Sequence, residues 1–196
     1  MGVSMTDCFL SMKGVSKRFA GVQALNGIDF ELKRGEIHCL AGENGSGKST
    51  LVKIISGILA PDAGASIEVD VVPLHHASSI ESIHKGIAVI YQDPSLFPTL
   101  GVAENIAFGS VVAEGRRLIT RRRVNLIASQ AAAKIGVSLP MDSPAGELSM
   151  ADQQLVAICR ALTGDVRLLI MDEPTTALTR KEVDALFSVV KELQSR

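Results

Sequence analysis

The most constraining feature of this sequence is residues 42–50, GENGSGKST, which match the pattern G-x-x-x-x-G-K-[ST]. The pattern is typical of a loop that wraps a polyphosphate. Glycine has no Cβ and tolerates positive φ, so the backbone can approach the phosphates and turn its N–H groups toward them. A helix that begins at the loop adds free N–H groups and the positive end of its dipole. The sequence therefore predicts a phosphate-binding site here.

The residues that flank the loop support this prediction. Residues 36–41 (EIHCLA) predict a short strand, and residues 49–56 (STLVKIIS) predict a helix. Lys48 is expected to reach the β- and γ-phosphates, and the Ser49 hydroxyl is expected to hold Mg²⁺. The loop residues expected to bind the nucleotide are Gly42, Glu43, Asn44, Gly45, Ser46, Gly47, Lys48, Ser49 and Thr50.

Composition argues against several other classes of protein. The 196 residues suit one domain, or one domain with an inserted subdomain, and 46% of them are hydrophobic, enough for a sizeable core. The net charge of −1 gives no global attraction to nucleic acid, and no aromatic residues interleave with the arginines of residues 116–123. Cys8, Cys39 and Cys159 are too scattered for a disulfide framework or a zinc site, and Cys39 is expected in the core. No window approaches the roughly 18 apolar residues of a membrane span.

Two apolar runs predict buried parallel strands that end in polar residues. Residues 86–91 (GIAVIY) end at Gln92, and residues 167–171 (RLLIM) end at Asp172 and Glu173. The carboxyl ends of such strands open into the crevice where α/β proteins bind ligands. Asp172 is therefore expected to orient Mg²⁺ through water, and Glu173 to activate the attacking water. Gln92 is a further site candidate.

The remaining segments predict an α/β fold with two additional parts. Residues 27–33 alternate apolar and polar side chains, as in a half-buried antiparallel sheet. Prolines punctuate residues 96–144, whose readable elements are helical, which indicates an inserted helical subdomain. The predicted parts are residues 1–92 (antiparallel β-subdomain and phosphate loop), 93–147 (helical subdomain) and 148–196 (the rest of the core).

Two more helices are predicted near the end of the chain. Ser149 and Asp152 form a capping box at the start of one of them. Residues 181–193 predict a final amphipathic helix, and Phe187 is expected on its core-facing side. Phe19, a lone aromatic residue near a Gly turn, suits core packing or stacking on a ligand about equally.

Taken together, five segments resemble the ATP-binding domain of ABC transporters. They are KRFAGVQAL, GENGSGKST, IYQDPSLFP, LSMADQQLVAICRAL and LLIMDEPTTALT, in this order along the chain. They cover nearly the whole sequence. The resemblance implies an α/β P-loop ATPase fold with a parallel core sheet, an N-terminal antiparallel β-subdomain and an inserted helical subdomain. It also implies ATP and Mg²⁺ as the ligands.

The resemblance implies a role for each matched position. Phe19 resembles the aromatic residue that stacks on adenine, and Gln92 resembles the glutamine that senses Mg²⁺ and the γ-phosphate and couples to the membrane subunits. Glu173 resembles the catalytic glutamate. The segment of residues 148–152 stands where the motif LSGGQ caps the ATP held by a partner domain. Its residues implied to touch a partner's ATP are Ser149, Met150, Ala151 and Asp152.

The sequence departs from the family pattern in two places. Met150, Ala151 and Asp152 replace Gly, Gly and Gln, which removes two glycines and adds a negative charge near a phosphate. The four histidines all precede Gln92, so the family's switch histidine has no match before Arg196. The pattern is similar to the first half of the tandem ATPases of monosaccharide importers, in the ribose, galactose, xylose and autoinducer-2 class. We therefore expect a truncated first cassette.

The leading hypothesis is an ATPase subunit that powers import of a sugar or sugar-like solute, from the cytoplasmic side of the membrane. Its expected partners are a second cassette, the membrane permease and, indirectly, a sugar-binding protein, with no nucleic acid. One alternative is a soluble ABC ATPase that does not serve transport. Another is an isolated cassette that binds nucleotide without turnover.

Overall fold

The computed structural model describes residues 8–74, 78–113, 120–172 and 178–195. The chain divides into two compact units. The first lies within residues 1–85 together with 194–196, and the second spans residues 86–193.

The first unit contains a four-stranded antiparallel sheet. Its strands are β1 (Cys8–Phe19), β2 (Val22–Lys33), β3 (Ser66–Val69) and β4 (Val72–Pro73), in the order β2-β1-β3-β4. Two residues with positive φ, Ala20 at 36° and Gly21 at 92°, join β1 to β2 in a tight hairpin. The alternation predicted for residues 27–33 is confirmed, because Asp29, Glu31 and Lys33 are exposed while their neighbours are partly or fully buried.

The strand predicted for residues 36–41 is wrong. These residues belong to no strand, and Ile37 and Leu40 are 64% and 43% exposed. Cys39 is also exposed rather than in the core. A short apolar run becomes a strand only where a neighbouring strand pairs with its backbone groups. No strand of the described part of the chain pairs with this segment.

Two helices complete the first unit. Helix α1 (Lys48–Ile55) begins after Gly47 and buries Leu51, Val52, Ile54 and Ile55, as the sequence predicts. Helix α2 (Ser79–His84) begins after Ser78, whose side chain accepts a hydrogen bond from the backbone of Glu81.

Within its described residues, the second unit combines a parallel strand pair with four α-helices. Strand β5 (Ile87–Ile90) pairs with β6 (Leu168–Met171) in parallel, as predicted. The helices are α3 (Val102–Ala113), α4 (Arg121–Lys134), α5 (Met150–Ala161) and α6 (Arg180–Ser195). Their shared core includes Ile90, Ile106, Val156 and Ile158. The described helices include none that is both long enough and apolar enough to cross a membrane.

Side-chain caps define the ends of these helices. Ser149 caps α5, as predicted, and Thr120 caps α4. The Lys134 ammonium donates a 2.6 Å hydrogen bond to the carbonyl oxygen of Leu162, just past the last turn of α5. Helix α6 buries Leu186, but Phe187 is 51% exposed, so its predicted place in the core is wrong. The buried residues of α6, Leu186 and Val189, are three apart on one side of the helix, and Phe187 points about 100° away from Leu186.

Candidate functional site

Residues 42–50 adopt a tight loop that leads directly into α1. Gly45 and Gly47 have φ of 86° and 92°, a region that favours glycine. The Ser46 N–H donates to the Glu43 carbonyl at 3.2 Å, which closes a turn within the loop. The Gly47 carbonyl then accepts from Leu51 at 2.9 Å, the first helical hydrogen bond of α1. The first N–H groups of the helix therefore have no helical acceptor and are available to an anion.

The loop packs closely against β2 at Gly47. A Cβ atom there would lie 2.6 Å from the carbonyl oxygen of Ala24 and 2.7 Å from Cδ2 of Leu25. At Gly45 the same substitution would meet nothing within 4 Å. Gly47 is thus required both for its backbone conformation and for its contact with the sheet.

Lys48 folds back over the loop. Its ammonium donates to the carbonyl oxygens of Gly42 at 2.6 Å and Glu43 at 2.8 Å. A third and longer contact, of 3.5 Å, joins the ammonium to the Ser46 hydroxyl, so a phosphate oxygen has to replace one of these three acceptors. Ser49, in the first turn of α1, is exposed. A fixed positive charge, a hydroxyl and free helix N–H groups form a donor set that suits a polyphosphate with its divalent cation.

Phe19 lies at the tip of the β1–β2 hairpin in the same unit. Its side chain is 43% exposed, and the Lys17 ammonium lies 5.7 Å from the centre of its ring. An exposed aromatic face beside a cation can stack on a flat ring. Phe19 is therefore not packed in the core, and its stacking on a ligand stays a prediction.

Gln92 and Asp172 follow neighbouring strands in the second unit. Ile90 of β5 and Met171 of β6 are paired, and the Asp172 N–H continues the pairing with a 2.9 Å bond to the Ile90 carbonyl. Both polar residues therefore leave the sheet at the same edge. Gln92 is exposed, and Asp172 is half-buried. Glu173, which follows Asp172, lies outside the described residues, as do His75 and His76.

Residues 148–152, which we call the signature segment, form the N-terminus of α5. The Ser149 hydroxyl accepts from the Asp152 N–H at 3.1 Å and donates to the Asp152 carboxylate at 2.7 Å. The bond from the Asp152 N–H to Ser149 is the first half of the predicted capping box, and the Asp152 carboxylate accepts from the Ser149 hydroxyl. Met150 is 63% exposed and Ala151 is half-buried.

The described residues contain no cluster of three or more His, Cys, Asp or Glu side chains that would hold a metal ion by themselves. Mg²⁺ commonly keeps several waters and takes one or two carboxylates together with the phosphates of a substrate. Asp172 in the second unit offers a single carboxylate, which fits that way of binding rather than a dedicated metal cage, and Ser49 in the first unit offers a single hydroxyl.

Three polar side chains make backbone contacts that the sequence does not indicate, and two of them, Asn105 and Gln154, are buried. Asn105 is fully buried and makes four hydrogen bonds to the backbone of Phe97, Leu100 and Gly101. Gln154 and Arg160, on α5, contact the backbone on either side of Gln92. One signal was present: Arg160 is a cation within the apolar run VAICRAL.

Comparison with known proteins agrees with this geometry. A family model described as "ABC transporter" matches residues 25–176. The chain is 47% identical over 191 residues to ribose import ATP-binding protein RbsA 2 of Rubrobacter xylanophilus, covering 94% of this chain and 36% of the relative. It is 45% identical over 195 residues to ribose import ATP-binding protein RbsA 1 of Streptomyces avermitilis, covering 98% of this chain and 36% of the relative. The chain thus spans about a third of the length of these relatives.

A solved structure shows the same fold. An ATP-binding cassette of an ABC transporter, MJ1267 in its ADP conformation, matches with a TM-score of 0.77 and 27% identity, over 96% of this chain and 77% of that one. The α/β P-loop fold predicted from the sequence is therefore confirmed. Since the family model spans most of the chain and the relatives match nearly all of it, the chain belongs to the ABC transporter family.

Proposed function

We propose that the chain is an ATP-binding and ATP-hydrolysing cassette that powers import of a sugar or sugar-like solute. The observation that carries the proposal is the Lys48 ammonium held on the Gly42 and Glu43 carbonyls, over a loop that opens a helix. The relatives, which are named ribose import ATP-binding proteins, support the solute class.

In this proposal the first unit binds the nucleotide. Lys48 and the backbone N–H groups of residues 42–50 bind the β- and γ-phosphates, and Phe19 stacks on adenine. The Lys48 ammonium is held on the Gly42 and Glu43 carbonyls, so in this proposal it exchanges one of these acceptors for a phosphate oxygen when the nucleotide binds.

The motifs assign Mg²⁺ to Ser49, Gln92 and Asp172, and they assign the catalytic base to Glu173. Mg²⁺, when bound, neutralises charge on the phosphates. Ser49 offers a hydroxyl oxygen, Asp172 a carboxylate and Gln92 an amide oxygen, which are the oxygen ligands that Mg²⁺ prefers. Glu173 accepts a proton from the attacking water.

A second cassette completes the site in this proposal. The signature segment of one cassette covers the ATP of the other, so Ser149, Met150, Ala151 and Asp152 of this chain serve a partner's nucleotide. The Ser149 hydroxyl, which here donates to Asp152, has to turn toward the phosphate for this contact. Because the Ser149 hydroxyl has to leave the Asp152 carboxylate, the signature segment is a weaker anion site than a segment without this carboxylate.

The proposed membrane partner is a permease, and a sugar-binding protein supplies the solute to it. An open depression of about 290 Å³ lies beside the loop that follows Gln92, and its lining residues include Asp93, Ser95, Leu96, Gly146 and Gln153. Such a depression next to the Mg²⁺-sensing residue suits the docking of a permease segment. The chain acts at the cytoplasmic face of the membrane in this proposal.

The first experiment compares nucleotide affinities of the chain with those of two lysine variants. We expect the affinity of the chain to be highest for Mg-ATP, lower for ADP and lowest for AMP, because the loop contacts phosphates rather than the base. Lys48→Met should weaken ATP binding by about 10- to 100-fold, the loss expected for hydrogen bonds to a charged group. The matched control is Lys53→Met, since Lys53 is exposed in the last turn of the same helix.

Equal ATP affinity in the two variants would contradict the phosphate role of the loop. Transport is tested in vesicles that contain the full-length protein and its permease. Glu173→Gln should abolish ATP-dependent ribose uptake while ATP binding persists. Unchanged ATP hydrolysis in that variant would overturn the assignment of the base.

A further inference from the structure

Arg160 makes an unusual set of contacts on α5. Its guanidinium donates to the carbonyl oxygen of Pro94 at 2.7 Å and to that of Ser95 at 3.0 Å. The part of the chain that the structure describes gives it no carboxylate partner. A planar guanidinium presents parallel N–H donors, so one arginine can serve two consecutive carbonyls. The guanidinium of Arg160 therefore binds the backbone of a single loop.

That loop, residues 91–95, contains a strained backbone. Ser95 has a φ of 45°, a backbone conformation that residues other than glycine rarely adopt. Its N–H donates to the Asp93 carboxylate at 3.0 Å, in an Asx turn. The bond from Arg160 to the Ser95 carbonyl holds the same residue from its other side. A strained residue persists only where its surroundings fix it.

Gln154, six residues earlier on α5, holds the other end of the loop. Its side chain is 4% exposed, and its amide donates to the Tyr91 carbonyl at 3.3 Å. The acceptor carbonyls thus bracket Gln92: Tyr91 precedes it, and Pro94 and Ser95 follow it. No side chain of the loop itself supplies these bonds.

We propose that Arg160 and Gln154 are positioning residues that hold the Gln92 loop on both sides and tie it to the helix that carries the signature segment. The inference rests on the proposed role of Gln92 toward Mg²⁺ and the γ-phosphate. A shift of α5 at Ser149 would then move the Gln92 loop with it, since both belong to one helix and its contacts. Arg160 and Gln154 touch no nucleotide in this proposal.

The test compares the preference of the chain for Mg-ATP over Mg-ADP in five variants. Arg160→Met and Gln154→Met should reduce that preference by roughly fivefold to tenfold, as Gln92→Ala does. Arg160→Lys, which keeps the charge but can serve only one carbonyl well, should fall between Arg160→Met and the wild type. The double variant Gln92→Ala/Arg160→Met should lose no more than Gln92→Ala alone, because both act through one amide.

Lys134→Met is the matched control for stability. Lys134 donates to the Leu162 carbonyl just past the C-terminal end of α5, so its loss weakens the helix packing without removing a bond to the loop. We expect a lower unfolding midpoint and an unchanged preference for ATP. Hydrogen exchange of the amides in residues 91–97 should be faster in Arg160→Met and unchanged in Lys134→Met.

Two results would overturn the inference. In the first, Arg160→Met and Gln154→Met both keep the wild-type preference for Mg-ATP over Mg-ADP, although Gln92→Ala loses this preference. In the second, the double variant Gln92→Ala/Arg160→Met loses preference for Mg-ATP by a factor equal to the product of the factors lost by the two single variants. If Gln92→Ala itself leaves the preference unchanged, the proposed role of Gln92 fails and the inference fails with it, so the two failures are distinguished by this one variant.

Discussion

The Asp172 N–H donates a 2.9 Å hydrogen bond to the Ile90 carbonyl, one step beyond the last residue of β6. The parallel pairing therefore continues to the point where both strands end. Asp172 and Gln92 leave the sheet from neighbouring strands at the same edge. Oxygen-bearing side chains that follow neighbouring strands at one edge of a sheet can act on one hydrated cation.

Asp172→Asn should reduce the effect of Mg²⁺ on ATP affinity. The substitution keeps the shape of the side chain and removes its charge, so we expect the Mg²⁺-dependent gain in affinity to fall by about tenfold, or about 1.4 kcal/mol. ATP titrations of the chain with Mg²⁺ and with EDTA measure it. Asp165→Asn, at an exposed position after α5, is the control. A wild-type response in Asp172→Asn, or an equal loss in Asp165→Asn, would contradict the assignment.

Gly47→Ala should destabilise the first unit more than Gly45→Ala. Both residues have positive φ, so alanine costs about 1–2 kcal/mol at either position. Only at Gly47 would the new Cβ also meet the Ala24 carbonyl, at 2.6 Å, so a further cost of about 1–3 kcal/mol follows. Thermal unfolding followed by circular dichroism compares the two. Equal melting temperatures would show that the loop can move away from β2 at no cost.

Much of the site could be predicted from the sequence because its chemistry is local. A phosphate loop needs glycines and a lysine at fixed spacing, and an acid at the end of a strand follows directly from an apolar run. The Ser149 capping box is also contained within four residues. These features depend on residues that are close together in the sequence, so a sequence pattern is enough to predict them.

Other features could not be predicted because they depend on partners distant in sequence. Residues 36–41 have the composition of a strand but no strand of the described chain pairs with them. Arg160 binds carbonyls 65 and 66 residues away, and Gln154 binds one 63 residues away. Backbone carbonyls carry no side-chain signature, so no spacing of residue types indicates such contacts.

Asn105→Ala should destabilise the second unit by about 2–4 kcal/mol. Asn105 is fully buried, and its side chain accepts from the Phe97 N–H at 2.8 Å and donates to the Phe97 carbonyl at 3.0 Å. Alanine leaves these buried groups without partners. The chain has one tyrosine and no tryptophan, so the fluorescence of Tyr91 reports urea unfolding of this unit.

Asn125→Ala is the matched control for this measurement, because Asn125 is half-buried on α4 of the same unit. A change of less than about 0.5 kcal/mol is expected there. If Asn105→Ala were as stable as Asn125→Ala, the hydrogen bonds of Asn105 would contribute nothing to the fold.

The stability of the fold should fall with rising pH above about pH 9 because of Cys159. This thiol is fully buried, and burial raises its pKa from 9.0 to about 12. Below pH 9 both the folded and the unfolded thiol are protonated, so Cys159 adds no pH dependence. Between pH 9 and pH 12 only the unfolded thiol ionises, and the free energy of unfolding decreases by up to about 1.4 kcal/mol for each pH unit.

Urea unfolding followed by circular dichroism at pH 8 and pH 10.5 should show a smaller decrease in Cys159→Ala than in the wild type. Cys39→Ala, at an exposed thiol, should keep the wild-type decrease, and an identical slope in all three proteins would refute the linkage to Cys159.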